Sequence, residues 1–70
     1  MHDGLLLEIN GEGRSIPPLS NIRELLRFLG IGEERIAVEV NHRIVRHKEW
    51  EATPLSKMDE VEIVQFVGGG

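Results

Sequence analysis

The order of hydrophobic patterns along this chain predicts an α+β fold, a mixed five-strand sheet with one main helix packed on one face. Three observations carry the prediction. Apolar residues alternate with polar ones over Leu5–Ile9, Ile36–Val40 and residues 61–67, the period of a half-buried strand. They recur at i, i+3, i+4 and i+7 at Ile22, Leu25, Leu26 and Leu29, the stripe of an amphipathic helix. Asn10-Gly11, two residues that accept positive φ, is a strong hairpin signal between the first alternating run and the next.

Each element follows in order. Leu5, Leu7 and Ile9 form the apolar face of a first strand, and residues 14–16 return as a second until Pro17-Pro18 ends it. Asn21 is placed to cap the helix, with Glu24 three residues on completing a capping-box pair, and Gly30 and Gly32 supply positive-φ residues at its end. Ile36, Val38 and Val40 face inward on a third strand, with Glu39 outward. Asn41-His42 turns the chain into a short return strand, Arg43 to Val45. Residues 46–53 read as a surface excursion, with Trp50 packing as a lid on the core. In the last strand Val61 and Ile63 point one way, and Glu62, Val64 and Phe66 the other. Glu62 marks the solvent side, so Val64 and Phe66 are expected as exposed apolar groups, which usually mark a partner site. Hairpin, helix, hairpin, strand is the order of the β-grasp, or ubiquitin-like, architecture, in which one helix and one sheet bury both apolar faces in a single core.

Composition sets bounds on function. The chain has 70 residues, 40% hydrophobic and 29% charged, with one Trp and two Phe, which suits one small soluble domain with an aliphatic core. Residues 1–67 are expected to form that domain and residues 68–70 a flexible functional tail. The lack of cysteine excludes a thiol nucleophile, a Cys-based zinc site and a disulfide framework. A net charge of −4 argues against nonspecific nucleic-acid binding. No apolar run is long enough to span a bilayer, and the N-terminus lacks a basic leader, so the expected location is cytoplasmic.

Gly68, Gly69 and Gly70 run straight on from the last strand. Glycine has no Cβ, so such a tail fits a narrow tunnel and can present a terminal carboxylate to another protein's active site. The other reading of the tripeptide alone is a disordered end.

The blocks Asn10-Gly11-Glu12, Asn21-Ile22-Arg23-Glu24-Leu25-Leu26, Val38-Glu39-Val40-Asn41 with Ile44-Val45, and Asp59-Glu60-Val61-Glu62-Ile63-Val64 ending in Gly69-Gly70 resemble the ThiS family of thiamine-biosynthesis sulfur carriers. The resemblance runs from Leu5 to Gly70. It implies a carrier protein, not an enzyme, that binds no cofactor of its own. A ThiF-like adenylyltransferase using ATP and Mg²⁺ would adenylate Gly70, a sulfur donor enzyme would convert it to a thiocarboxylate, and a ThiG-like thiazole synthase would accept the sulfur. Val64, Phe66 and Val67, with the tail, would form the docking surface. Two departures stand out. Arg46 replaces a proline common in relatives, and Lys57-Met58-Asp59 replaces an acidic-Gly-Asp turn, where Met58 is expected to avoid positive φ.

The residues agree with this chemistry. A carboxylate is a poor electrophile and is ionised at neutral pH, so activation must precede attack by sulfur. The chain has no Gly-Lys-Ser/Thr phosphate loop, and Gly11-Glu12-Gly13 sits within a predicted hairpin, so the nucleotide site belongs to a partner. His2, His42 and His47 lack zinc-site spacing and are read as surface residues. The basic stretch Arg43, Arg46 and Lys48 is assigned no site, and Asp59, Glu60 and Glu62 form an acidic run beside the last strand that could steer docking. Two further classes share the fold and tail. One is a carrier for another pathway, such as the small subunit of molybdopterin synthase, and the other is a ubiquitin-like modifier that forms isopeptide bonds.

Overall fold

A computed structural model describes residues 4–66 of the chain. Five strands form one sheet, β1 (Leu5–Ile9), β2 (Glu12–Ile16), β3 (Ile36–Val40), β4 (Arg43–Val45) and β5 (Glu60–Gln65), in the order β2-β1-β5-β3-β4. The central pair β1 and β5 runs parallel and every other pair is antiparallel, which is the mixed sheet that the element order predicts. One helix, α1 (Ile22–Leu29), covers one face. The fold is the β-grasp.

Local chemistry explains the element boundaries. Asn10 and Gly11 take φ of 49° and 84°, and Asn41 and His42 take 52° and 69°, so both hairpins turn through two consecutive left-handed residues. That twist matches the right-handed twist of the flanking strands. Asn21 caps α1 by accepting a hydrogen bond from the Glu24 N–H at 2.9 Å. The Glu24 carboxylate reaches back to the Ser20 N–H at 2.7 Å, one residue beyond the expected partner. Gly30 ends the helix at φ 74°, its N–H donating to the Arg27 carbonyl.

The core lies between α1 and the sheet. Leu7, Ile9, Ile16, Val38, Val61 and Ile63 of the sheet meet Ile22, Leu25 and Leu26 of the helix, and all are buried. Burying an aliphatic side chain of this size stabilises by roughly 1.5–3 kcal/mol before chain entropy is counted, so these residues hold a domain with no disulfide. Trp50 is more than a lid. It is 2% exposed, follows a 3₁₀ turn over His47–Glu49, and donates its indole N–H to the Val45 carbonyl at 2.9 Å. The His47 ring lies 4.4 Å from the indole, and Glu33 bridges His47 to Arg23 of α1, so helix, loop and 3₁₀ turn close over that corner.

Four details depart from the sequence reading. Strand β2 begins at Glu12, two residues earlier than expected, because Ile9 and Glu12 already pair beside the two-residue turn. Gly32 has no positive φ, so Gly30 alone supplies it at the helix end, and Arg35, just before β3, has a φ of 60°. Met58 adopts a φ of 70°, against expectation. Its N–H donates to the Leu6 carbonyl at 2.7 Å, while Asp59 closes the same turn by accepting from the Ser56 N–H at 2.8 Å. Those bonds offset the cost, about 1–2 kcal/mol, of a left-handed non-glycine residue. Finally, β5 ends at Gln65, although the Phe66 N–H still donates to the Arg35 carbonyl at 2.7 Å.

Candidate functional site

Strand β5 is the element that delivers the chain to the glycine tail, and two asparagines fix it in place. At one hairpin turn Asn10 mimics a strand neighbour. Its side-chain oxygen accepts from the Ile63 N–H at 2.8 Å, and its amide donates to the Ile63 carbonyl at 3.3 Å. At the other turn Asn41 accepts from the Glu60 N–H at 3.0 Å and donates to the Asp59 carboxylate at the same distance. Each asparagine thus serves twice, because a positive-φ turn residue is also the residue whose short amide reaches backbone. The register of β5 is set from both sides.

That register decides what the outer face of the sheet presents. Val61 and Ile63 point into the core, so Glu60, Glu62 and Val64 point away from the helix. Val64 is 52% exposed and Phe66, two residues on, is 57% exposed. Val64 lies on the exposed face near the end of β5, and Phe66 is exposed just past that end, in keeping with the exposure that sequence alternation predicts. Across the ladder Val64 pairs with Ala37, and Ile44, 72% exposed, pairs with Glu39 on the same face. Sequence reasoning missed Ile44. Its signal was available in the alternation of Arg43-Ile44-Val45 against the inward Val45, but three residues make a weak period. Val67, Gly68, Gly69 and Gly70 lie outside the described residues.

The rest of the outer face is acidic. Glu39 stands opposite Glu62, and Glu8 is the partner of Glu60 across the parallel pair. The run at Asp59, Glu60 and Glu62 was visible in sequence. Glu8 and Glu39 join it only through strand order. His42 lies 3.1 Å from Glu60, and among the described residues no other basic side chain lies within ion-pair distance of this group. The other basic residues of that stretch, Arg43, Arg46 and Lys48, are exposed around β4.

The ThiS family model matches residues 6–70. A crystal structure of the thiamine biosynthesis protein ThiS from Geobacter metallireducens superposes with a TM-score of 0.81 at 30% identity, covering 94% of this chain and 100% of that one. The uncharacterized protein ycf40 of Porphyra purpurea is 31% identical over 70 residues, 100% of this chain and 99% of its own length. A thiazole synthase of Paramagnetospirillum magneticum is 38% identical over 64 residues, and one of Magnetococcus marinus is 34% identical over the same length. Those 64 residues are 91% of this chain and 20% of each synthase, so in both proteins a stretch like this chain is one part of a larger polypeptide.

Proposed function

The chain belongs to the ThiS family, and on that premise we propose that it is the sulfur carrier of thiazole formation in thiamine biosynthesis, with Gly70 as the group that is loaded. In this proposal the Gly70 carboxylate attacks the α-phosphate of ATP on a ThiF-like adenylyltransferase, and pyrophosphate leaves. A sulfur nucleophile at the sulfide level, supplied by a donor enzyme, then adds to the acyl carbon. The C–O bond to AMP breaks and the C–S bond stays, leaving a terminal thiocarboxylate with no redox change at the glycine carbon. Thiazole synthase takes that sulfur. ATP and Mg²⁺ act on the adenylyltransferase, where the transferring phosphate is held.

The observation that carries this reading is the way β5 ends. An exposed apolar end, Val64 and Phe66, leads within two residues to three glycines, so docking surface and reacting group share one segment. A partner that covers Val64 and Phe66 has the tail at its own active site, and glycine lets the chain pass a slot too narrow for a Cβ. The two thiazole synthases that contain a stretch like this chain support that enzyme as the acceptor.

Intact-mass analysis after incubation with the adenylyltransferase, ATP and a sulfur donor tests the proposal. The native chain should gain the mass of one sulfur-for-oxygen exchange, Gly70→Ala should load more slowly, and a chain extended by one residue after Gly70 should not load. Normal loading of the extended chain contradicts the proposal.

A further inference from the structure

The carboxylates of the outer face stand opposite one another. Glu39 and Glu62 are direct partners across β3 and β5, and Glu8 and Glu60 across β1 and β5. Side chains directly opposite on one face stand about 4.5–5.5 Å apart at Cβ, and like charges there are destabilising. Among the described residues Glu8, Glu39 and Glu62 have no ion-pair partner, and Glu60 has only His42. Among the described residues Arg43, Arg46 and Lys48 belong to the edge strand and the turn beyond it, and no Lys or Arg forms an ion pair with this band. Four carboxylates on three adjacent strands thus cross the middle of the face, with Val64 and Phe66 at the tail end of the same surface.

We infer that Glu8, Glu39, Glu60 and Glu62 form a single band that receives a row of Lys or Arg side chains from thiazole synthase while Val64 and Phe66 seat in an apolar patch beside it. The inference rests on the sulfur-carrier reading and adds the surface chemistry of its acceptor. Repulsion within the free band is relieved when cations are placed between its members, so complex formation gains both new charge pairs and relief of an existing cost. Such a surface also steers encounter, and its effect falls with ionic strength. Two similar proteins carry a stretch like this chain in the same polypeptide as thiazole synthase, which points to that enzyme as the occupant.

The test compares the full chain, the double variant Glu39→Gln with Glu62→Gln, and a control of equal charge change elsewhere on the surface, Glu34→Gln with Glu51→Gln. Affinity for thiazole synthase and for the adenylyltransferase of the same genome is measured across a salt series, with thermal unfolding of each free carrier. The Glu39/Glu62 variant should bind the synthase about tenfold more weakly at low salt with a flatter salt dependence. The same variant, free, should melt about 2–5 °C higher, and the control pair should change affinity by less than about twofold. Unchanged affinity for the synthase, an equal loss in the control, a loss confined to the adenylyltransferase, or no rise in melting temperature each overturns the inference while sulfur loading of Gly70 stands. A native chain that neither loads sulfur nor binds either enzyme overturns the sulfur-carrier reading and the band with it.

Discussion

The two faces of the sheet are built from the same strands by alternate residues, yet they answer to different constraints. On the inner face Leu7, Ile9, Ile16, Val38, Val61 and Ile63 are all buried beneath α1 and Trp50. On the outer face Leu6, Ile44 and Val64, with Phe66 just past the end of β5, remain more than a third exposed, and Glu8, Glu39, Glu60 and Glu62 stand among them. Stability accounts for the first set. It does not account for the second, since exposed apolar side chains and facing carboxylates add nothing to a free domain. Under the proposed function the inner face serves folding and the outer face recognition, with β5 contributing to both.

The comparison is broken most severely from the inside. Leu25→Ala removes a fully buried side chain between helix and sheet and should cost about 2–5 kcal/mol, a large share of what a small domain has. Chemical denaturation checks this, and an unchanged midpoint would remove α1 from the core. A smaller effect is expected at the asparagine that joins the two faces. Asn10→Gly keeps the positive φ but loses both bonds to Ile63, and should cost about 1–2 kcal/mol. Asn10→Ala should cost about 1 kcal/mol more, because alanine also resists that backbone. Hydrogen exchange at the Ile63 amide should rise in both, and protection equal to the native chain would show that Asn10 does not hold β5. The smallest effect on stability belongs outside. Val64→Ser and Phe66→Ser should shift the free domain by no more than about 0.5 kcal/mol, while slowing adenylation of Gly70 at limiting carrier concentration. Calorimetry and a pyrophosphate-release assay separate the two readouts, and normal adenylation kinetics would remove both residues from the docking surface.

Much of this was legible in sequence because it depends on local periodicity. The stripe Ile22, Leu25, Leu26 and Leu29 and the Asn21 cap place α1 at its observed limits, and Asn10-Gly11 forms the turn it predicts. The exposure of Val64 and Phe66 follows from Val61 and Ile63 facing inward. What was not legible depends on partners distant in sequence. Met58 has an unfavourable φ, and its N–H bonds to Leu6, more than fifty residues earlier, a bond that no local rule carries. The second role of Asn10 and Asn41, as clamps on β5, likewise appears only once strand order is known. The acidic band was half visible. Glu60 and Glu62 are close in sequence, but Glu8 and Glu39 join them through the parallel β1–β5 pair and the antiparallel β3–β5 pair.

All of these features serve one proposed event at Gly70, so the state of that residue in the cell is the most direct test. Intact-mass and C-terminal peptide analysis of the native protein, purified from its own cells grown without thiamine, reads it out. The account predicts a species in which sulfur replaces one oxygen of the Gly70 carboxylate, and reversion to the carboxylate when thiazole synthase turns over. A Gly70 carboxylate that is never modified under those conditions, or sulfur found on any other residue, would contradict it.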